Sequence, residues 1–233
     1  METYAVKILD IADDLLEDLL LLIDKERIYK IKKYINKKDK IRTIIGEILV
    51  KTIASNKLNI NINSLFFDRD IYGKPTLKGY PKFNFNISHS GNYVVCAIDD
   101  NPIGIDIEKT KTIDYKEIAK SFFSASEFDY IMKKDSNSQL STFYEIWTLK
   151  ESYIKCCGQG LSIPLNSFSI DINHSGNIKV IVGGKHKDHI FKTFHTDELY
   201  KISVCSVNKK ITSDIIMLDQ NKLIHPISSF KLT

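Results

Sequence analysis

The chain has 233 residues, 43% hydrophobic and 27% charged, with a formal net charge of +4 and a pI of about 8.7. That length suits one large domain or two lobes of about 100 residues each, with core enough to fold without disulfides or a structural metal. The mild positive excess suits an anionic ligand or an acidic partner without naming one.

The N-terminal METYAVKIL predicts a strand over Tyr4–Leu9 and lacks the basic-then-apolar pattern of a signal peptide. Leu15, Leu16, Leu19, Leu20 and Ile23 recur at steps of three and four behind Asp10 and Asp13, which offer N-cap chemistry. This leucine run is broken by Glu17 and Asp18 and is too short to span a bilayer, so a cytoplasmic location is expected. A second helix starts at Asp24, with Ile28, Ile31 and Ile35 inward and Lys25, Arg27, Lys30, Lys32 and Lys33 outward. A third runs from Asp39 to Ile53 on a stripe of Ile41, Ile44, Ile45, Ile48 and Leu49.

Beyond Ser64 the pattern turns to strands. Tyr72-Gly73-Lys74-Pro75 is turn chemistry, and Phe83, Phe85 and Ile87 alternate with Asn84, Asn86 and Ser88 as in a half-buried strand. Tyr93–Ile98 reads as a central strand and Ile103–Glu108 as another. Ile118–Phe123 and Ser126–Met132 read as helices, Lys133–Ser141 as a polar loop, and Phe143–Cys157 as a helix stopped by Gly158. Strands are predicted over Phe168–Ile172, Ile178–Val182, Phe191–His195, Tyr200–Val207 and Ile215–Leu218. A helix followed by strands occurs twice, which predicts an α+β fold of two similar lobes, 1–105 and 106–233, about a pseudo-twofold axis. The ligand cleft is expected between them.

Ile103, Ile105 and Ile107 should face a core, which leaves Gly104, Asp106 and Glu108 on the other face with two carboxylates side by side. Such a pair repels unless a cation lies between, and oxygen-only ligation suits magnesium. Taken alone, the same pattern also describes an exposed acidic strand end. Glu151 and Lys155 share a helix face. That is either an ordinary helical ion pair of about 0.2–0.5 kcal/mol or a third metal carboxylate beside a phosphate contact. Asn86-Ile87-Ser88-His89-Ser90-Gly91 reads equally as a phosphate-cradling turn or a structural one. It lacks the G-x-S-x-G elbow of a hydrolase. Cys96, Cys156, Cys157 and Cys205 show neither disulfide nor zinc spacing and read as buried thiols. No nucleic-acid-binding signature is present.

GKP at 73–75, FNISHSG at 85–91, PIGIDIEKTK at 102–111 and WTLKESYIKCCGQGL at 147–161 occur in order. RTIIGEILVK at 42–51, FFSASEF at 122–128 and IPLNSFSI at 163–170 extend the match over most of the chain. Together they resemble the 4′-phosphopantetheinyl transferase family, of the monomeric two-lobed type that activates peptide synthetases. The resemblance implies transfer of the 4′-phosphopantetheine arm of coenzyme A to a serine of an acyl or peptidyl carrier protein, releasing 3′,5′-ADP. Magnesium would be held by Asp106, Glu108 and Glu151. Lys155, Ser88 and His89 would touch the phosphates of coenzyme A, Lys74 its adenine side, and Arg42, Arg27 and Lys30 its 3′-phosphate. Arg27 stands where related chains often carry lysine. Either Glu151 or a metal-bound water would take the serine proton. The expected carrier-docking surface is Thr112–Phe123, with Ile113, Tyr115, Phe122 and Phe123 for contact and Lys116 and Lys120 for charge. A magnesium-dependent nucleotide phosphohydrolase and a non-catalytic binding module are the rival readings.

Overall fold

In the computed structural model, which describes residues 1–173, 175–207 and 211–228, two sheets lie face to face and each is backed by a long helix. The sequence dictates this layering through its two fully apolar strands. β5 (Tyr93–Asp99) is buried along its whole length. Val94, Cys96 and Ile98 face one core, and Tyr93, Val95 and Ala97 face a second. β5 lies between β1 (Glu2–Lys7) and β4 (Asn84–Ser90), antiparallel to both. The small β2 (Phe67–Arg69) and β3 (Pro75–Leu77) pair in a separate hairpin.

The outer face of this first sheet is covered by α1 (Asp13–Leu20), α2 (Lys25–Lys32) and above all α3 (Lys37–Leu58). α3 opens on Asn36, whose side chain accepts the Lys38 N–H, and its predicted isoleucine stripe is buried against the sheet. Each such side chain contributes about 1.5–3 kcal/mol. α1 differs from expectation at its start. Its N-cap is Ala12 with no side-chain cap, and Asp10 and Asp13 pair with Lys37 instead.

β6 (Ile103–Lys109) opens the second sheet. Ile103, Ile105 and Ile107 close the inter-sheet core as predicted. α4 (Tyr115–Phe122), α5 (Ala125–Met132) and α6 (Ser136–Cys157) follow. The polar loop expected over 133–141 is largely the first turns of α6. Asp135 caps it by accepting the Ser138 N–H at 3.1 Å, and Gln139, Thr142 and Phe143 are buried. A polar stretch is compatible with a helix when its first residue is a good cap.

α6 packs on the side of β6 away from the inter-sheet core. Gly104 permits this, because a Cβ there would lie 2.0 Å from the Ser152 carbonyl oxygen and 2.4 Å from the Cys156 nitrogen. A buried ion pair fixes the helix from behind. Lys150 Nζ lies 2.6 Å and 2.8 Å from the two Glu127 oxygens and 2.8 Å from the Phe168 carbonyl, all out of solvent contact.

β7 (Phe168–Ile172), β8 (Ile178–Val182) and β9 (Lys185–His186) form a small sheet. β10 (Ile190–Phe194) and β11 (Tyr200–Ser206) complete the second large sheet in the order β10-β11-β6. The chain then returns to the first sheet. β12 (Ile215–Leu218) pairs in parallel with β1, and α7 (Gln220–Ser228) packs on α3 and α1. A boundary at 105/106 therefore falls inside β6, all of which pairs with β11, and the last elements belong beside the first sheet.

Candidate active site

β4 and β6 belong to different sheets, yet side chains stitch them together. Asn86 Oδ1 accepts the Ile105 N–H at 2.9 Å, Ser88 Oγ the Ile107 N–H at 3.4 Å, and Ser90 Oγ the Lys109 N–H at 3.0 Å. Alternate residues of β4 thus satisfy alternate edge amides of β6, groups that would otherwise be costly to bury. The polar face of β4 is therefore a seam; Asn86 and Ser88 are buried on it.

Both serines use their remaining hydrogen on a carboxylate. Ser88 Oγ donates to Asp106 Oδ1 at 2.8 Å, and Ser90 Oγ donates to Glu108 Oε2 at 2.9 Å. Lys155 reaches in from α6, its Nζ 2.5 Å from Asp106 Oδ1 and 3.0 Å from Ser88 Oγ. Asp106 is 4% exposed, which removes the reading of a solvent-facing acidic strand end.

Its other oxygen, Oδ2, is buried with no hydrogen-bond partner. Burial and then the charge of Asp106 push the Glu108 carboxyl above its ordinary range, opposed by the Ser90 hydrogen bond, Lys155 and Lys111. The same two causes raise Glu151, opposed by Lys155. Negative charge is thus crowded around Asp106 with one oxygen left unsatisfied. A hard cation answers both conditions, and these oxygen-only donors fit magnesium. Among the described residues no group of three or more His, Cys, Asp or Glu side chains forms a ready metal cage. Magnesium does not require one, since it keeps waters and recruits phosphate oxygens alongside one or two carboxylates.

The other predicted positions divide. His89 is exposed and falls on the opposite face of β4 from Ser88. Partial loss of solvent, then the charges of Arg42 and Lys155, hold its pKa below the ordinary histidine value. Arg42 donates to the Gly91 carbonyl at 2.7 Å and pairs with Asp39, beneath the β4–β5 turn. Gly91 is required there: its φ is +55°, and a Cβ would lie 2.3 Å from the Tyr200 hydroxyl oxygen. Arg27 and Lys30 line a cavity of about 190 Å³ with Arg69, Phe67 and Pro75 and with two carboxylates, Asp24 and Asp68. Arg27 also pairs with buried Glu47, Nε to Oε2 at 3.2 Å. Lys74 does not line that cavity; its ammonium donates to the backbone carbonyls of Ile103 and Lys155. In the sequence Asn86 and Ser90 fall within a turn that reads as either phosphate-cradling or structural, and their role in joining β4 to β6 is not foreseen there. Their period-two spacing with Ser88 was the available signal.

An α+β chain with a carboxylate- and lysine-lined seam between two sheets is the class that fold and site define. Residues 102–205 match the model of the 4′-phosphopantetheinyl transferase superfamily, and residues 12–101 match that of the 4′-phosphopantetheinyl transferase N-terminal region. The 4′-phosphopantetheinyl transferase Sfp of Bacillus subtilis is 39% identical over 208 residues, covering 89% of this chain and 92% of that protein. The 4′-phosphopantetheinyl transferase gsp of Aneurinibacillus migulanus is 41% identical over 194 residues, covering 82% and 79%. A solved holo-(acyl-carrier-protein) synthase from Bacillus anthracis superposes with a TM-score of 0.38 at 18% identity, over 45% of this chain and 93% of that one. The chain belongs to the 4′-phosphopantetheinyl transferase family.

Proposed function

We propose that this chain transfers the 4′-phosphopantetheine arm of coenzyme A to a serine hydroxyl of an acyl or peptidyl carrier protein and releases 3′,5′-ADP. Asp106, Glu108 and Glu151 would hold magnesium, which supplies charge neutralisation to the diphosphate. The observation that carries this reading is the buried, unpartnered Asp106 Oδ2 beside two carboxyls with raised pKa and the Lys155 ammonium. A decayed binding module has no reason to keep that arrangement.

The serine oxygen forms its bond to the phosphorus that bears pantetheine as the bond from that phosphorus to the 3′,5′-ADP oxygen breaks. Lys155 and Ser88 orient the phosphate oxygens, and Lys155 can give a proton to the leaving group. The serine proton would pass to a side-chain oxygen of Glu151 or to a water held at the site. Arg42, Arg27 and Lys30 would form a basic rim for the 3′-phosphate, and His89 would touch a phosphate of coenzyme A. The two similar lobes are read as related by a pseudo-twofold axis, and one chain suffices for the site. Among the described residues no helix is long and apolar enough to cross a membrane, and we place the reaction in the cytoplasm.

The test is the intact mass of an apo carrier protein incubated with the chain, coenzyme A and magnesium. A gain of about 340 Da, the mass of the arm, that is abolished by EDTA is expected. Coenzyme A consumed without a modified carrier would overturn this reading in favour of a phosphohydrolase. Intact coenzyme A with unmodified carriers of several types would overturn it in favour of a binding module.

A further inference from the structure

Lys74 leaves the turn between β2 and β3, but its charge ends in another part of the fold. Its Nζ donates to the carbonyl oxygen of Lys155 at 2.7 Å and to that of Ile103 at 3.2 Å. The first acceptor lies in the last turn of α6, where carbonyls have no partner within the helix and favour a cation. The second opens β6. One ammonium therefore ties the hairpin to both elements of the seam. It does so beside Gly104, where α6 and β6 are in backbone contact. Lys74 lines a cavity of about 460 Å³ with Cys156, Cys157 and Gly158 from the same helix end.

The residue whose carbonyl Lys74 holds is the residue whose side chain enters the site. Lys155 Nζ meets Asp106 and Ser88, while its own carbonyl oxygen takes the Lys74 bond. We propose that Lys74 is a positioning residue for the transfer reaction, fixing the end of α6 so that Lys155 stands at the phosphates. Its charge serves this clamp and does not recognise the nucleotide. What the turn offers to the cavity of Arg27 and Lys30 is Pro75, which lines it. This role rests on the function proposed above.

Removal of the clamp lets the helix end move, and misplacement by about 1 Å costs up to about a hundredfold in rate. The experiment compares wild type, Lys74→Met and Lys74→Arg in steady-state transfer, in binding of 3′,5′-ADP by calorimetry, and in a Lys155→Ala background. For Lys74→Met we expect kcat to fall about tenfold or more, with the ADP Kd changed less than about twofold. The loss should shrink to under about twofold in the Lys155→Ala background, because coupled residues are not additive. Lys74→Arg, which keeps donors for the carbonyls, should recover part of kcat and carries the comparison if Lys74→Met does not fold. A weakened ADP Kd with unchanged kcat would make Lys74 a nucleotide contact and overturn the proposal. So would a lowered thermal midpoint with normal kcat, or an equal loss in both backgrounds. An inactive wild type would overturn the functional reading itself, and this role with it.

Discussion

Ser90 and Glu108 hold one another across the seam: the Ser90 hydroxyl donates to Glu108 Oε2 at 2.9 Å while accepting the Lys109 N–H at 3.0 Å. That hydrogen bond lowers the Glu108 pKa against the burial and the Asp106 charge that raise it. Ser90→Ala removes an orienting partner and leaves a β6 amide without its acceptor. Loss of such an outer partner weakens metal affinity about 10–100-fold, and the orphaned amide costs about 1–3 kcal/mol. A magnesium titration of transfer activity and a urea unfolding curve check the two effects separately. Normal magnesium dependence in Ser90→Ala would remove Ser90 from the site.

His89 supplies a pH dependence whose sign follows from its surroundings. In the free chain its pKa lies below the ordinary histidine value of 6.5, by partial desolvation and the Arg42 charge. The unfolded chain therefore binds this proton at a higher pH than the folded one does. Between the folded pKa and 6.5, His89 makes stability rise with pH, and above 6.5 its contribution is constant. A bound phosphate favours the imidazolium and reverses the local preference. Binding of 3′,5′-ADP should then tighten as pH falls toward the histidine range, by no more than about tenfold per pH unit for one proton. Calorimetry across pH on wild type and His89→Gln measures it. An unchanged slope in His89→Gln would place the ligand away from this residue.

Glu127 and Lys150 form an ion pair with both side chains out of solvent contact. Glu127 also accepts the Ser124 and Ile170 amides, so the pair ties α5, α6 and β7 together. Lys150→Met leaves a buried carboxylate without its cation and should cost about 3–5 kcal/mol. Adding Glu127→Gln removes the stranded charge and should return part of that loss. Denaturant unfolding of the two variants tests this. A double variant no more stable than Lys150→Met would mean that the amide bonds, and not the charge, dominate.

Much of the fold was legible because hydrophobic spacing reports burial directly. The isoleucines of α3 and the alternation of β6 are examples. The start of α6 was not, because Ser136, Asn137 and Ser138 carry no apolar stripe; only the Asp135 cap marks it. At the site, Asp106 and Glu108 were legible as neighbouring carboxylates on one strand face, but the close approach of α6 to that face was not. That approach depends on Gly104 admitting a helix backbone, and two serines face the strand from the other sheet. Lys74 was legible as part of a turn, and its span to the end of α6 depends on contacts between residues 81 positions apart. Spacing along one element cannot report a contact between two of them.

Phe122 and Phe123 are neighbours with opposite environments, and this separates docking from folding. Phe123 is buried and stacked on Phe143 with ring centroids 5.3 Å apart. Phe122 is 52% exposed, and Ile113 is exposed in the segment that leads into α4. Lys116 and Lys120 lie on α4 itself, interspersed with Asp114 and Glu117, so the segment offers an acidic carrier two cations without a net positive charge. An exposed aromatic in such a patch is a candidate anchor for a partner. Phe122→Ser should leave stability within about 0.5 kcal/mol and raise the carrier KM about tenfold or more. The KM for coenzyme A should be unchanged, since no contact between Phe122 and the basic rim is needed for nucleotide binding. Phe123→Ser should instead cost about 3–5 kcal/mol by opening the aromatic core. Steady-state kinetics with carrier and coenzyme A varied in turn, together with urea unfolding, distinguish the two. A normal carrier KM in Phe122→Ser would move the docking surface off this segment.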